Sequence, residues 1–221
     1  GDPHAPYLRH RSVPRYGPTN KDAYDGEVRF TDIHIGRLLK AMEVRGLLAN
    51  TAIIFTSDHG EGLVEKEDHG SRYHGANLYD ETVRVPLIIK APGMKPRRVK
   101  TPVSLIDIVR TMLALAEIPH GDDVRGMSLV PYLKGQSPPH PPVFFEKEKE
   151  SALPQKGMVL WPYKVIWVVP YNRIKIFNLV DDPKETKDIK RSLDPALYRK
   201  LVNTLKFGST SVLKPRPPKR K

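Results

Sequence analysis

Between about Asp22 and Val44 the apolar residues Tyr24, Val28, Ile35, Leu38, Leu39 and Met42 fall on one broad face, which predicts an amphipathic helix. Asn20 or Asp22 can cap its start, and Gly46 stands where the chain leaves it. The run TAIIFTS (51–57) is short, apolar and β-branched, and predicts a buried strand that stops at Asp58-His59-Gly60. Residues 60–82 mix glycines, charges and histidines without a period, which predicts a long loop with a short helix near Leu78–Thr82. RVPLIIK (84–90) predicts a second strand, with Pro86 at its beginning or on a sheet edge. In VSLIDIVRTMLALAE (103–117) Ile106, Val109, Met112, Leu113 and Ala116 form the apolar stripe of a second helix, which Pro119 ends. Helix, strand, loop, strand and helix in that order predict an α/β fold with a mostly parallel sheet covered on both faces.

The pattern changes after Gly135. QSPPHPP reads as a linker. VFFE (143–146), MVLWPYKVIWVV (158–169) and RIKIFNLV (173–180) then predict strands of a small antiparallel sheet, the last two joined by a turn at Pro170, Tyr171 and Asn172. DPALYRKLVNTLKF (194–207) predicts a closing helix with Leu197, Leu201 and Leu205 on one side and Asp194 as its N-cap. Residues 1–20 carry no hydrophobic period and predict a loop. From 208 to 221 there are five basic and no acidic residues, broken by proline, which predicts a disordered basic tail. The expected organisation is an α/β part over 1–135, a small α+β subdomain over 136–207 and the tail over 208–221.

Composition narrows the chemistry. The 221 residues include 37 basic and 25 acidic side chains, a net charge of +12 that favours anionic partners. The tail can touch a polyanion or an anionic membrane surface, but no nucleic-acid-specific motif accompanies it. No apolar run approaches the roughly 18 residues of a membrane span. The absence of cysteine excludes disulfides, thiolate-held zinc, iron–sulfur clusters and a cysteine nucleophile within these residues. The opening at Gly1, without a secretory leader, reads like the interior of a longer protein, so the chain is expected to be a fragment.

The strongest local signal is Ser57-Asp58-His59-Gly60-Glu61-Gly62. Ligands bind beyond the carboxyl ends of strands in open α/β sheets. A carboxylate beside an imidazole there can hold a divalent cation; oxygen suits hard ions, and nitrogen widens the choice to manganese, zinc or iron. The competing reading is a capping Asp and a solvated His. A second cluster, Asp68-His69-Gly70-Ser71-Arg72-Tyr73-His74-Gly75, follows on the same loop, where an imidazole can hold an anionic oxygen or protonate a leaving group. His4 stands between prolines in Asp2-Pro3-His4-Ala5-Pro6, which hold its backbone extended. His10, His34, His120 and His140 carry little signal. Arg11-Ser12-Val13-Pro14-Arg15 imitates a Ser-x-Pro-x-Arg nucleophile motif, but Tyr16 occupies the position that would need Arg. No phosphate-binding loop or Gly-x-Ser-x-Gly elbow is present.

Taken together, YDGEVRFTDIHIGRLLKAM, TAIIFTSDHGEG, YHGANLYDETVRVPLIIKAPG, VSLIDIVRTMLALAEIP with RGMSLVPYLKG, and IFNLVDDPKE resemble the sulfatases of the alkaline phosphatase superfamily, in that family's order from His4 to about Ile189. The resemblance implies part of a large α/β sandwich with a small C-terminal antiparallel sheet and helix. It implies hydrolysis of a sulfate ester by a formylglycine nucleophile, made in a C/S-x-P-x-R motif, with a divalent cation that is usually calcium, manganese or zinc being alternatives. By resemblance Asp58 and His59 are metal ligands, and His74 and His4 are active-site groups that meet the sulfate or the leaving group. The nucleophile motif and the first metal ligands of the family lie upstream, so this chain resembles the C-terminal half of a sulfatase. Its expected partners are a sulfate-ester substrate, small or glycan, and the missing N-terminal half; alone it is expected to be inactive. The family favours periplasmic, extracellular or membrane-associated locations. Two other readings remain: a phosphonate or phosphodiester hydrolase, or a phosphoethanolamine or phosphoglycerol transferase, of the same superfamily, and a non-catalytic binding module.

Overall fold

The computed structural model describes residues 3–63, 69, 72–148 and 153–212. Helix α1 (Asn20–Val44) matches the predicted span. Its N-cap is Thr19, not the predicted Asn20 or Asp22; the Thr19 hydroxyl accepts from the Asp22 amide and the Asp22 carboxylate accepts in return, a capping box. Gly46 leaves the helix in the left-handed region at φ 69°. A 3-10 turn (Leu47–Asn50) leads into β1 (Ile53–Thr56). Two short strands, β2 (Gly62–Leu63) and β3 (Arg72–Tyr73), pair within the long loop, and the predicted short helix is α2 (Asp80–Val83). Strand β4 (Leu87–Lys90) starts directly after Pro86.

Strands β1 and β4 pair antiparallel, Ile53 opposite Lys90 and Thr56 opposite Leu87, which corrects the expected parallel arrangement. Either direction is open to strands joined by the 30 residues 57–86, and hydrophobic periodicity does not encode which one forms. No parallel pair occurs among the described residues. The two strands are half-buried rather than buried, and Ile88 is 62% exposed. Helix α3 (Asp107–Leu115) starts later than predicted and presents the opposite face: Asp107 and Thr111 are buried, whereas Ile106, Val109 and Met112 are exposed. A one-turn helix, α4 (Val130–Leu133), follows.

The C-terminal sheet has four strands, not three: β5 (Val143–Lys147), β6 (Gln155–Leu160), β7 (Tyr163–Val168) and β8 (Arg173–Asn178), in a simple antiparallel meander. The run read as one strand over 158–169 turns back at Trp161-Pro162. Pro162 has no N–H for a ladder and cannot sit inside a central strand. The turn at 170–172 is as predicted, with Asn172 left-handed at φ 44°. Helix α5 (Pro195–Val212) runs past the predicted end, so residues 208–212 of the expected tail are helical; the rest of the tail lies outside the described residues. Asp194 caps α5 by accepting from the Ala196 and Leu197 amides. No described helix is long and apolar enough to cross a membrane.

The chain divides into two compact units, one of 1–56, 61–73 and 86–94, the other of 57–60, 74–85 and 95–221. In the second, Leu201, Val202 and Leu205 of α5 pack on Met158, Val165, Ile174 and Ile176 on one face of the sheet. On the other face Ile166 and Phe177 are covered by Leu78 and Tyr79. Strand alternation therefore turns Lys164 and Ile166 toward the loop that carries His74.

Candidate functional site

Asp58 and His59 follow β1, and the chain there is held by short-range bonds. The Ser57 hydroxyl donates to the His59 carbonyl (2.7 Å), and the His59 amide donates to Asp58 Oδ1 (3.0 Å). The Gly60 amide donates to the Thr82 carbonyl of α2 (2.9 Å). A Cβ at position 60 would lie 2.2 Å from the Glu81 carbonyl oxygen, so only glycine permits this approach.

His59 Nδ1 faces the Gly60 carbonyl at 2.9 Å. A ring nitrogen against a carbonyl carries the proton, which leaves Nε2 with its lone pair. That Nε2 lies 3.8 Å from Asp58 Oδ2. The distance is too long for a hydrogen bond, but it suits two donors about 2.0–2.5 Å from one cation. The Asp58 side chain is 86% exposed. Its slight burial raises the carboxyl, but its own amide, His59 and Ser57 outweigh that and hold it below the usual range, so it is ionised and ready to bind. The donor set thus fits a divalent cation. It supplies two ligands; no group of three or more candidate ligands occurs among the described residues. The His74 ring stacks on the His59 ring, centroids 4.0 Å apart and 29° from parallel.

The structure therefore brings together three of the four predicted site residues, Asp58, His59 and His74, all in the second unit. His4 belongs to the first unit. Its amide donates to Glu27 Oε2 (3.1 Å) and the Leu8 amide donates to Glu27 Oε1, so one fully buried carboxylate on α1 pins both ends of the loop that presents the exposed His4 ring. Nearby, Tyr7 packs edge-on against Tyr24, and burial together with Glu61 pushes its hydroxyl well above the usual tyrosine range. Replacing Glu27 by Ala should leave two amides without an acceptor, cost about 1–3 kcal/mol and accelerate amide exchange at His4 and Leu8, read by denaturation and hydrogen exchange. Of the second cluster, His69 adopts φ 48°, and Asp68, Gly70 and Ser71 lie outside the described residues.

Reading the sequence missed Glu27, Asp80, Lys164 and Glu185. Lys164 is fully buried in β7 and its ammonium lies 2.8 Å from both Asp80 Oδ1 and Glu185 Oε1. Glu185 Oε2 in turn accepts from the Asp80 amide (2.6 Å). Burial pushes the Glu185 carboxyl up, and Lys164 opposes it. The available signal was one lysine inside an otherwise apolar strand run, since a buried lysine needs a partner.

The sulfatase family model matches residues 2–118, and the model described as N-sulphoglucosamine sulphohydrolase, C-terminal, matches residues 68–209. The chain belongs to the sulfatase family. This sulfatase chain is 39% identical over 104 residues to arylsulfatase K of Gallus gallus, which covers 47% of the chain and 19% of that protein. It is 29% identical over 203 residues to an ulvan-active sulfatase of Formosa agariphila, covering 81% of the chain and 38% of that protein. The chain thus spans well under half the length of these relatives. Among solved structures, a protein in complex with its substrate D-glucosamine-2-N,6-O-disulfate superposes with a TM-score of 0.75 at 24% identity, over 91% of this chain and 42% of that one. A phosphonate monoester hydrolase from Silicibacter pomeroyi superposes with a TM-score of 0.73 at 24% identity, over 88% and 41%. These likenesses show a shared α/β fold.

Proposed function

We propose that this chain supplies the C-terminal part of a sulfatase that hydrolyses sulfate esters, with Asp58 and His59 as two ligands of a divalent cation and His74 beside them. The observation that carries the reading is the 3.8 Å separation of Asp58 Oδ2 and His59 Nε2, with His59 Nδ1 committed to the Gly60 carbonyl. When bound, the cation supplies charge stabilisation for the sulfate oxygens and for the attacking group. Calcium is the family's usual ion; the imidazole donor keeps manganese and zinc in play. His74 contributes a donor to the anion at the edge of the pair. His4, held by the Glu27 clasp, is the second imidazole for the sulfate or the leaving oxygen. The nucleophile, a formylglycine in this family, and the remaining cation ligands belong to sequence outside these 221 residues.

The same proposal accounts for apolar surface left exposed among the described residues. In the first unit Leu38, Val44 and Ile88 are exposed, and in the second so are Val109 and Met112. Each belongs to a face that the N-terminal half of the catalytic sandwich would cover. The substrate is an anionic sulfate ester, small or glycan, consistent with the net positive charge.

Phosphonate monoester hydrolysis is the competing reading, because structural neighbours with that name share the fold. Assaying the complete protein with an aryl sulfate and with an aryl phosphonate separates them. The expected result is a higher kcat/KM for the sulfate by at least about tenfold, or about 1.4 kcal/mol in the barrier. Preference for the phosphonate would overturn the sulfatase reading.

A further inference from the structure

The geometry points to Lys164 and Glu185 as positioning residues for the candidate site, acting from the C-terminal sheet through Asp80 and α2. This inference rests on the proposed site, but its central measurement does not depend on activity.

The connection runs through named bonds within one compact unit. Lys164, on the face of β7 that meets Leu78 and Tyr79, donates to Asp80 Oδ1 at the start of α2. Glu185 clasps the same point from the other side, taking the Asp80 amide on Oε2 and the Lys164 ammonium on Oε1. Asp80 is thereby held through both its side chain and its backbone. Two residues later the Thr82 carbonyl takes the amide of Gly60, which directly follows Asp58 and His59. The Thr82 hydroxyl bonds the Asn77 and Tyr79 carbonyls (both 3.0 Å), so the segment that follows His74 is tied to α2 from Asn77 onward. The His59 side of the His59–His74 stack is thus fixed by where α2 stands, and α2 stands where Lys164 and Glu185 put it.

Stability alone does not explain this arrangement. Burying an ion costs several kcal/mol, and replacing buried ion groups with apolar side chains is often neutral or stabilising. Glu185 also sits in the left-handed region at φ 54°, a conformation that disfavours any residue with a Cβ. A strained, desolvated carboxylate 105 residues downstream of Asp80 stands where an apolar contact would hold the sheet equally well. What the charges add is direction, because hydrogen bonds to Asp80 fix the angle and height of α2 as greasy packing does not.

The test is Lys164→Met/Glu185→Gln in the complete protein, which removes the opposite charges together and keeps an amide oxygen for the Asp80 N–H. A cooperative melt establishes that the variant folds. Amide exchange at Gly60 should accelerate by about tenfold or more, while sheet amides such as Val165 and Ile176 exchange as before. Turnover should fall about 10- to 100-fold in kcat with little change in KM. Equal acceleration at Gly60 and across the sheet would mean a merely structural role and overturn the inference, as would an unchanged Gly60 rate. If the double variant fails to fold, Asp80→Asn, which keeps the shape but removes the charge that strengthens the bond from Lys164, replaces it. It should accelerate Gly60 selectively by about threefold, and wild-type exchange would overturn the inference. A selective Gly60 effect in a complete protein that cleaves no sulfate ester would sink the sulfatase reading and leave the positioning role standing.

Discussion

Asp58→Ala in the complete protein should abolish cation-dependent turnover, a fall of about a thousandfold or more, equivalent to the several kcal/mol that a bound ion contributes to charge stabilisation. Little else should change. The Asp58 side chain is 86% exposed and its bonds are local, to Ser57 and to the His59 amide, so the melting temperature should stay close to wild type. Calorimetric titration with calcium and with manganese gives an independent readout: the variant should lose the heat of binding that the wild type shows. A variant that binds the ion as tightly as wild type would remove Asp58 from the ligand set. His59→Ala should weaken binding in the same direction, because Nε2 is the nitrogen left with a lone pair.

The second large effect is on stability and lies away from the site. His140, in the linker-like stretch after Gly135, has Nε2 2.9 Å from Asp107 Oδ2 and Nδ1 2.7 Å from the Pro141 carbonyl. Both ring nitrogens face acceptors, an arrangement that favours the imidazolium. The side chains are 4% and 2% exposed, and Asp107 also accepts from the Ser104 and Met127 amides (2.8 Å each). His140→Ala leaves a buried carboxylate with only its backbone donors and should cost about 2–4 kcal/mol, read by chemical denaturation.

The pH dependence has a definite sign. Burial alone would lower His140, but Asp107 and the Pro141 carbonyl outweigh it and raise its pKa. The stability from this group is therefore full below the ordinary histidine value near pH 6.5 and is lost as pH rises through the raised one. For Asp107 burial would raise the carboxyl, yet His140 and the two amides hold it low. Its contribution is present above the ordinary aspartate value near pH 3.9 and is lost as pH falls through the lowered one. The pair stabilises most between those limits, and the His140→Ala difference should shrink above neutral pH. A difference that is flat from pH 5 to pH 9 would show that His140 is bound as a neutral ring.

Local chemistry was legible in the sequence where the determinants are local. The period of α1, the Asp194 cap and leucine spacing of α5, and the strand ending at Asp58-His59-Gly60 all depend on neighbours within one or two turns. The Trp161-Pro162 reversal was also local, since a proline inside a strand pattern argues against a central strand; apolar content on both sides hid it. The direction of the β1–β4 pairing and the outward face of α3 depend on what lies alongside, which periodicity does not encode. The same holds for the clasps of Glu27 and Glu185, whose partners are 19 to 105 residues away. His140 looked uninformative because its meaning is Asp107, 33 residues upstream.

The outward apolar side of α3 has a practical consequence at the bench. A polypeptide limited to these residues carries Val109 and Met112 into water, as α1 and β4 carry Leu38 and Ile88. Purified by itself it should cling to copies of itself or to a detergent, and the N-terminal half proposed above is the additive expected to keep it in solution.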